Sequence, residues 1–330
     1  MTKDLAVGRV IKCQSSFYTI LTEAGEQIVA RIRGRLKKEH QDTTIVAIGD
    51  RVRYQTLPDG THIIEEVLER KRALSRLKPL ASGRGTRRWD RQGYLREREQ
   101  VLIANPDQVV FVLAYTQPEP NLRLLDRLLV GAERQAIPSL ICVNKIDLAT
   151  QAEVEAKFNI YAEIGYRVLY TSALTGAGVD QLRKHLQDRI SALVGPSGVG
   201  KSSLLNALEP ELGKRVKAVS QATGKGRHAT RVAELVELAV GGWVADTPGI
   251  RALALFDLDP EEIDAYYPDI APYVPDCQFS DCSHTVDPGC AVIAALEEGK
   301  IDEHRHESYI KLRQEHRKLA DMYWWGIDEE

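Results

Sequence analysis

Nine residues, Gly195-Pro-Ser-Gly-Val-Gly-Lys-Ser-Ser203, fit the pattern G-x-x-x-x-G-K-S/T. The chemistry of that pattern is phosphate binding. Its glycines let the backbone curl until successive N–H groups point inward, and a helix starting at the lysine adds the positive end of its dipole. Gly195, Pro196, Ser197, Gly198, Val199, Gly200, Lys201, Ser202 and Ser203 are therefore candidate contacts to a nucleotide. Lys201 would reach the β- and γ-phosphates, and the Ser202 hydroxyl would coordinate Mg²⁺. Further on, Asp246-Thr-Pro-Gly249 ends an apolar run. A carboxylate at Asp246 can hold the Mg²⁺ shell through water, and the Gly249 N–H can meet a γ-phosphate.

Two other short stretches suit a purine. In Asn144-Lys145-Ile146-Asp147, the Asp147 carboxylate can accept the N1–H and 2-amino donors of guanine. Adenine lacks that donor pair, so it would leave a buried acceptor unmatched. The Lys145 stem can lie over the base, and Asn144 would tie this loop to the phosphate loop. In Thr171-Ser172-Ala173, the Ala173 N–H can donate to guanine O6.

The stretch VSQATGKGRHATR, residues 219–231, is basic, glycine-bearing and aperiodic. It suits a loop that orders on the γ-phosphate. Thr223 and Thr230 each offer a hydroxyl to Mg²⁺. Ile250 follows Gly249 where many GTPases carry a water-orienting glutamine, so another group must place the attacking water. His228 is the candidate.

A further set is Cys277-x₄-Cys282-x-His284-x₅-Cys290. Three thiolates and an imidazole make a closed tetrahedral Zn²⁺ set, which implies a structural site. The chain has five cysteines. The odd total and the clustering of three argue against a disulfide framework. Cys13 and Cys142 lie in strand-like runs and read as core thiols.

These groups need a scaffold. Apolar runs at 108–115, 138–144, 166–173, 191–195 and 243–247 alternate with amphipathic, helix-like segments. That predicts a parallel sheet with helices on both faces. Residues 231–240 and the following Gly-Gly-Trp run read as a hairpin, which predicts one antiparallel edge strand. Upstream, short runs at 7–13, 17–22, 26–32, 50–56 and 62–68 predict a small five-stranded barrel, an OB-fold or an SH3-like one. Residues 70–98 hold eleven Lys/Arg against two acids. Arg84, Arg87, Arg88 and Arg91 are candidate RNA-phosphate contacts there. Downstream of 256 a Pro/Asp/Cys-rich stretch leads into a helix predicted over 302–325.

At 330 residues the chain has room for two or three domains. A formal net charge of −3 gives no global sign of nucleic-acid binding, so such a sign must be local. No apolar run reaches the ~18 residues that span a bilayer, and the start lacks a basic-then-apolar signal pattern. A cytoplasmic protein without a membrane partner is expected.

The base-reading motifs precede the phosphate loop, a rotation of the usual order. A site of this kind needs its loops adjacent in space rather than in sequence. With the barrel, the basic loop, IANPDQVV, NKID, TSA, GPSGVGKSS, GRHAT, DTPG and the Cys₃His spacing, nearly the whole chain resembles the RsgA (YjeQ/EngC) family of circularly permuted bacterial GTPases. The resemblance implies a multidomain chain: an amino-terminal β-barrel of OB-fold type (1–72), a basic linker (73–104), a central α/β P-loop GTPase domain, circularly permuted (105–255), and a mostly α zinc-binding domain with a carboxyl-terminal helix (256–330). It implies Mg²⁺-dependent GTP hydrolysis stimulated by the small ribosomal subunit. It further implies action late in that subunit's maturation, on 16S rRNA near the decoding region. It maps catalysis to His228 and the Mg²⁺ ligand to Thr230. Ala229 departs from the family, which often has a second threonine there. The cofactors expected are one structural Zn²⁺ and Mg²⁺ with GTP; the expected state is a monomer.

Overall fold

The computed structural model describes residues 5–34, 36, 44–77, 99–210, 233–246 and 258–325. Strands β1 (Ala6–Gln14), β2 (Phe17–Thr22), β3 (Gln27–Ile32), β4 (Arg51–Thr56) and β5 (His62–Val67) close a barrel in the order β1-β2-β3-β5-β4, with β4 returning to β1. The β3–β5 pairing is parallel and the others are antiparallel. That connectivity is the five-stranded Greek key of an OB-fold and decides against the SH3-like alternative. Alternate residues Val10, Ile20, Ala30, Val52, Tyr54 and Ile64 fill the interior.

Arg70 opens the basic stretch, but it belongs to the barrel. Its guanidinium makes a bidentate pair with the fully buried Asp50 (2.8 Å to each oxygen) and also donates to the Thr44 and Ile45 carbonyls. The segment read as linker, 73–104, begins and ends in strands. β6 (Ala73–Leu77) and β7 (Glu99–Ala104) pair as an antiparallel ribbon. Leu74 and Ile103 are buried in it, and Ala104 N donates to Ile48 O at 2.8 Å. Arg84, Arg87, Arg88 and Arg91 lie outside the described residues.

The central sheet has the order β10-β9-β8-β11-β13-β12. Its strands are β8 (Gln108–Ala114), β9 (Ser139–Asn144), β10 (Arg167–Tyr170), β11 (Ile190–Val194), β12 (Ala233–Glu237) and β13 (Trp243–Asp246). All pairings are parallel except β12–β13. β8 is buried along its whole length, which is why its sequence lacks polar alternation. Val109, Phe111 and Leu113 pack with α1 (Leu122–Arg134) and α2 (Gln151–Glu163). Val110 and Val112 pack with α3 (Val179–Leu186) and α4 (Lys201–Leu208) on the other face. Each large apolar side chain so buried contributes roughly 1.5–3 kcal/mol.

β12 is antiparallel as expected, but it is not an edge. Its outer side pairs with β1 of the barrel, Lys12 opposite Glu234 and Cys13 opposite Ala233, with a 3.1 Å ion pair between Lys12 and Glu234. An open edge would leave a row of unpaired backbone groups, and the barrel covers it. The result is one continuous sheet of eleven strands.

Past residue 258 the chain is mostly helical: two 3₁₀ turns (Ile263–Tyr266 and Ala271–Asp276), α5 (Ala291–Glu297) and α6 (Glu303–Trp325). They share a core that includes Leu258, Ile263, Tyr267, Ile270, Val292 and Tyr309, and into it α1 inserts Val130.

Candidate nucleotide site and metal centre

The motif loops all leave the carboxyl ends of parallel strands. In spatial order these are Thr171–Ala173 after β10, Asn144–Asp147 at the end of β9, Gly195–Gly200 after β11, and Asp246 ending β13. The rotated sequence order therefore becomes one row in space, with β8 between the base loops and the phosphate loop. That row is where ligands bind in open α/β sheets.

β11 delivers the phosphate loop from the core, and Gly195 packs so closely that a Cβ would lie 2.1 Å from Val112 O. α4 starts at Lys201, with Gly200 before it at φ +96°. A Cβ on Gly200 would fall 2.3 Å from Asn144 Nδ2. Glycine is needed there for both the dihedral and the contact. Lys201 Nζ lies over the loop, donating to Gly195 O (2.7 Å) and Pro196 O (2.6 Å). Ser202 and Ser203 are exposed in the first turn of α4, and Val199 is buried.

Asn144 is the junction of three loops. Its amide donates to Val199 O at 2.9 Å, and its Oδ1 accepts from Ala173 N (3.1 Å) and Thr171 Oγ1 (3.4 Å). The side chain is 1% exposed. The expected tie to the phosphate loop is present. The Ala173 N–H, read as a donor to guanine O6, has Asn144 as its partner, so a purine carbonyl would share or replace that bond.

Lys145 has φ +65°. Its Nζ donates to Gln117 O in the loop between β8 and α1. Ile146 and Asp147 lie in a 3₁₀ turn, with the Asp147 side chain exposed. The buried Ser172 donates its hydroxyl to Asp147 Oδ1. Ser172 thus orients the carboxylate, a role that sequence spacing did not suggest.

Asp246 is placed by its backbone, opposite Glu234. His228, Thr223, Thr230, Ala229, Gly249 and Ile250 lie outside the described residues.

The four atoms Cys277 Sγ, Cys282 Sγ, His284 Nδ1 and Cys290 Sγ lie within 4.8 Å of one another. Cys277–Cys290 is 3.9 Å, Cys277–His284 is 3.6 Å and Cys290–His284 is 3.5 Å. A tetrahedral ion with bonds of about 2.3 Å to sulfur and 2.0 Å to nitrogen sets its ligands roughly 3.5–3.8 Å apart. The cluster thus fits a metal ion.

His284 Nε2 meets Asp264 Oδ2 at 3.1 Å. That carboxylate keeps the proton on Nε2 and leaves Nδ1 facing the thiols. Asp264 sits in a 3₁₀ turn and carried no sequence signal. Burial opposes ionisation of Cys290, but the Ile293 N–H and His284 outweigh it and hold this thiol below the ordinary cysteine range. Burial pushes the Cys282 thiol up to about 12. Of the remaining two cysteines, Cys142 is a buried core thiol as read, while Cys13 is half-buried against the core; burial raises Cys13 to about 12 and Cys142 to about 11. Among the described residues no helix is long and apolar enough to cross a membrane.

The RsgA GTPase family model matches residues 88–256, and the RsgA N-terminal domain model matches residues 7–64. The Small ribosomal subunit biogenesis GTPase RsgA of Chlorobaculum parvum is 40% identical over 309 residues, 92% of this chain and 96% of that one. The protein of the same name from Gemmatimonas aurantiaca is 41% identical over 312 residues, 93% of this chain and 96% of that one. The crystal structure of YjeQ from Thermotoga maritima aligns with a TM-score of 0.74 at 33% identity, covering 94% of this chain and 98% of that one. That of YloQ, a circularly permuted GTPase, aligns with a TM-score of 0.70 at 31% identity, covering 96% of each chain.

Proposed function

The chain belongs to the RsgA GTPase family, and from that premise we propose that it is a late assembly factor of the small ribosomal subunit, a monomer that docks on rRNA in its GTP form and leaves on hydrolysis. The observation that carries this reading is the Asn144 junction, which joins both base loops to the phosphate loop in one site.

Asp147, aimed by Ser172, reads the guanine N1–H and 2-amino group, and the Lys145 stem covers the base. The N–H groups of residues 195–203 and the Lys201 ammonium hold the phosphates and offset charge growing on the β–γ bridge. Ser202, Thr230 and Asp246 would hold Mg²⁺, which supplies further charge neutralisation there when bound. Ser202 lies beyond the loop that follows β11, and Asp246 ends the neighbouring strand β13, which supports the assignment. His228 orients the attacking water. The Cys₃His cluster would hold Zn²⁺ as a structural ion, since four protein ligands leave no open position for chemistry.

The deciding experiment is single-turnover GTP hydrolysis with and without purified small subunits. The wild-type rate is expected to rise strongly on subunit addition, and His228→Ala to lose on the order of a hundredfold or more of the stimulated rate. No stimulation would leave a nucleotide-gated RNA binder instead. Equal competition by ATP would overturn the guanine assignment.

The charge pattern along the sequence supports the basic stretch as the RNA contact. Residues 256–303 carry thirteen Asp/Glu against one Lys, whereas 70–98 are strongly basic. Subunit affinity is therefore expected to fall steeply with salt. Replacing Arg84, Arg87, Arg88 and Arg91 together with alanine should flatten the log–log slope by roughly 3 units. Salt-independent binding of the wild type would contradict this.

A further inference from the structure

We propose that Arg305 is a positioning residue for guanine recognition, fastening the carboxyl-terminal domain to the two helices that bracket the base-reading loop. The inference rests on the guanine reading above.

Arg305 is 1% exposed and is the bulkiest of the fully buried side chains among the described residues. Its guanidinium donates to Asp269 through Nε (3.0 Å) and Nη2 (2.6 Å), within its own domain. Its remaining arm, Nη1, crosses to Asp126 Oδ1 on α1 at 2.7 Å. The same oxygen accepts the Tyr161 hydroxyl of α2 at 2.8 Å. The Tyr267 ring lies 4.5 Å from the guanidinium carbon. One buried cation thus joins α1, α2 and the carboxyl-terminal domain. Around it, Arg123 and Arg127 of α1 pair with Glu315 of α6, and His304 Nε2 stands 3.5 Å from Asp126 Oδ2.

The two helices so joined are the ones that frame the base loop. α2 begins directly after that loop, capped by Thr150, whose hydroxyl and backbone N–H both bond the Glu153 carboxylate. α1 is led in by residues 115–121, where Gln117 O accepts Lys145 Nζ and Glu119 pairs with Lys157 of α2 at 2.9 Å. Helices move as rigid bodies, so a clamp along their length fixes the spread of their starting ends. Lys145 is tied to the lead-in of α1 through Gln117 O, and Asp147 stands three residues before the Thr150 cap of α2. Loosening the clamp lets the ends drift, and a shift near 1 Å is enough to spoil a directional hydrogen bond.

Complete removal of the guanidinium would strand two buried carboxylates and endanger the fold. Two milder variants test the proposal. Arg305→Lys keeps the cation but not the forked geometry, and Tyr161→Phe removes only the α2 arm. The readout is the ratio of affinities for GDP and inosine diphosphate, which lacks the 2-amino group that Asp147 reads. Wild type is expected to prefer GDP by about tenfold or more. Both variants should lose at least about fivefold of that preference. They should also exchange amide hydrogen faster at 145–150 in the GDP complex, with circular dichroism confirming a folded protein. An unchanged ratio in folded Tyr161→Phe protein overturns the proposal, whether or not Arg305→Lys folds. A wild type that fails to distinguish the two nucleotides overturns the guanine reading itself, and the proposal with it.

Discussion

Asp147→Asn protein is expected to bind GDP about a thousandfold more weakly than wild type and to recover affinity for xanthosine diphosphate. Guanine offers the residue two donors, N1–H and the 2-amino group. Hydrogen bonds to a charged group are worth about 1.5–3 kcal/mol each, so losing both costs roughly 3–6 kcal/mol. The structure also says which way the new amide will face. Ser172 donates its hydroxyl to Asp147 Oδ1. In the variant that hydroxyl still needs an acceptor, so the amide oxygen stays on Ser172 and the NH₂ turns outward. An outward NH₂ faces the guanine 2-amino group donor to donor. Xanthine carries a carbonyl at that position and accepts from it. Asp147 is exposed, so folding stability should change by no more than about 0.5 kcal/mol. Titrations with the two diphosphates check the result, and unchanged GDP affinity would refute the base assignment.

The ease of reading this chain tracks how local each signal is. β2 was legible to the residue as Phe17–Thr22, and α6 (Glu303–Trp325) nearly so, because period and composition sit inside one window. The row of motif loops was legible because each motif carries its own strand end. The covering of β12 by the barrel was not, since Lys12 and Glu234 belong to different domains and lie far apart in the sequence. The ribbon of β6 and β7 escaped for a similar reason. Arg76 pairs with Gln100 across a segment whose basic composition hides two short strands. Asp264 and Asp126 are the clearest omissions. One fixes the His284 ring from twenty residues away, and the other meets Arg305 across 179. No spacing rule links such partners. They are found only by asking which groups the buried His284 and Arg305 need in order to be satisfied.

Stripping the metal should have the largest effect on the fold, and it should be confined to one domain. Three thiols and an imidazole converge within 4.8 Å. With no ion present, the metal bonds that would hold the four groups together are gone, and burial keeps the Cys282 thiol protonated up to about 12. Structural Zn²⁺ in comparable sets contributes about 10–16 kcal/mol near neutral pH. A unit of this size is stable by only about 3–10 kcal/mol in total. The apolar core here also recruits Cys282 and Cys290 themselves, so the ligands cannot leave without opening it. Chelation under denaturant-free conditions should therefore release one ion per chain. Amide exchange should rise by orders of magnitude across 258–301, while β8, β9 and β11 keep their protection. Cys282→Ser should reproduce much of this without chelator. The Asp126–Arg305–Asp269 node sits at the border, and the domain side of it, Asp269, should be lost first. Arg305 would then face Asp126 with only one partner, and the α1–α6 contact should loosen with it. Unaltered exchange across 258–301 in metal-free protein would show that the cluster is not structural.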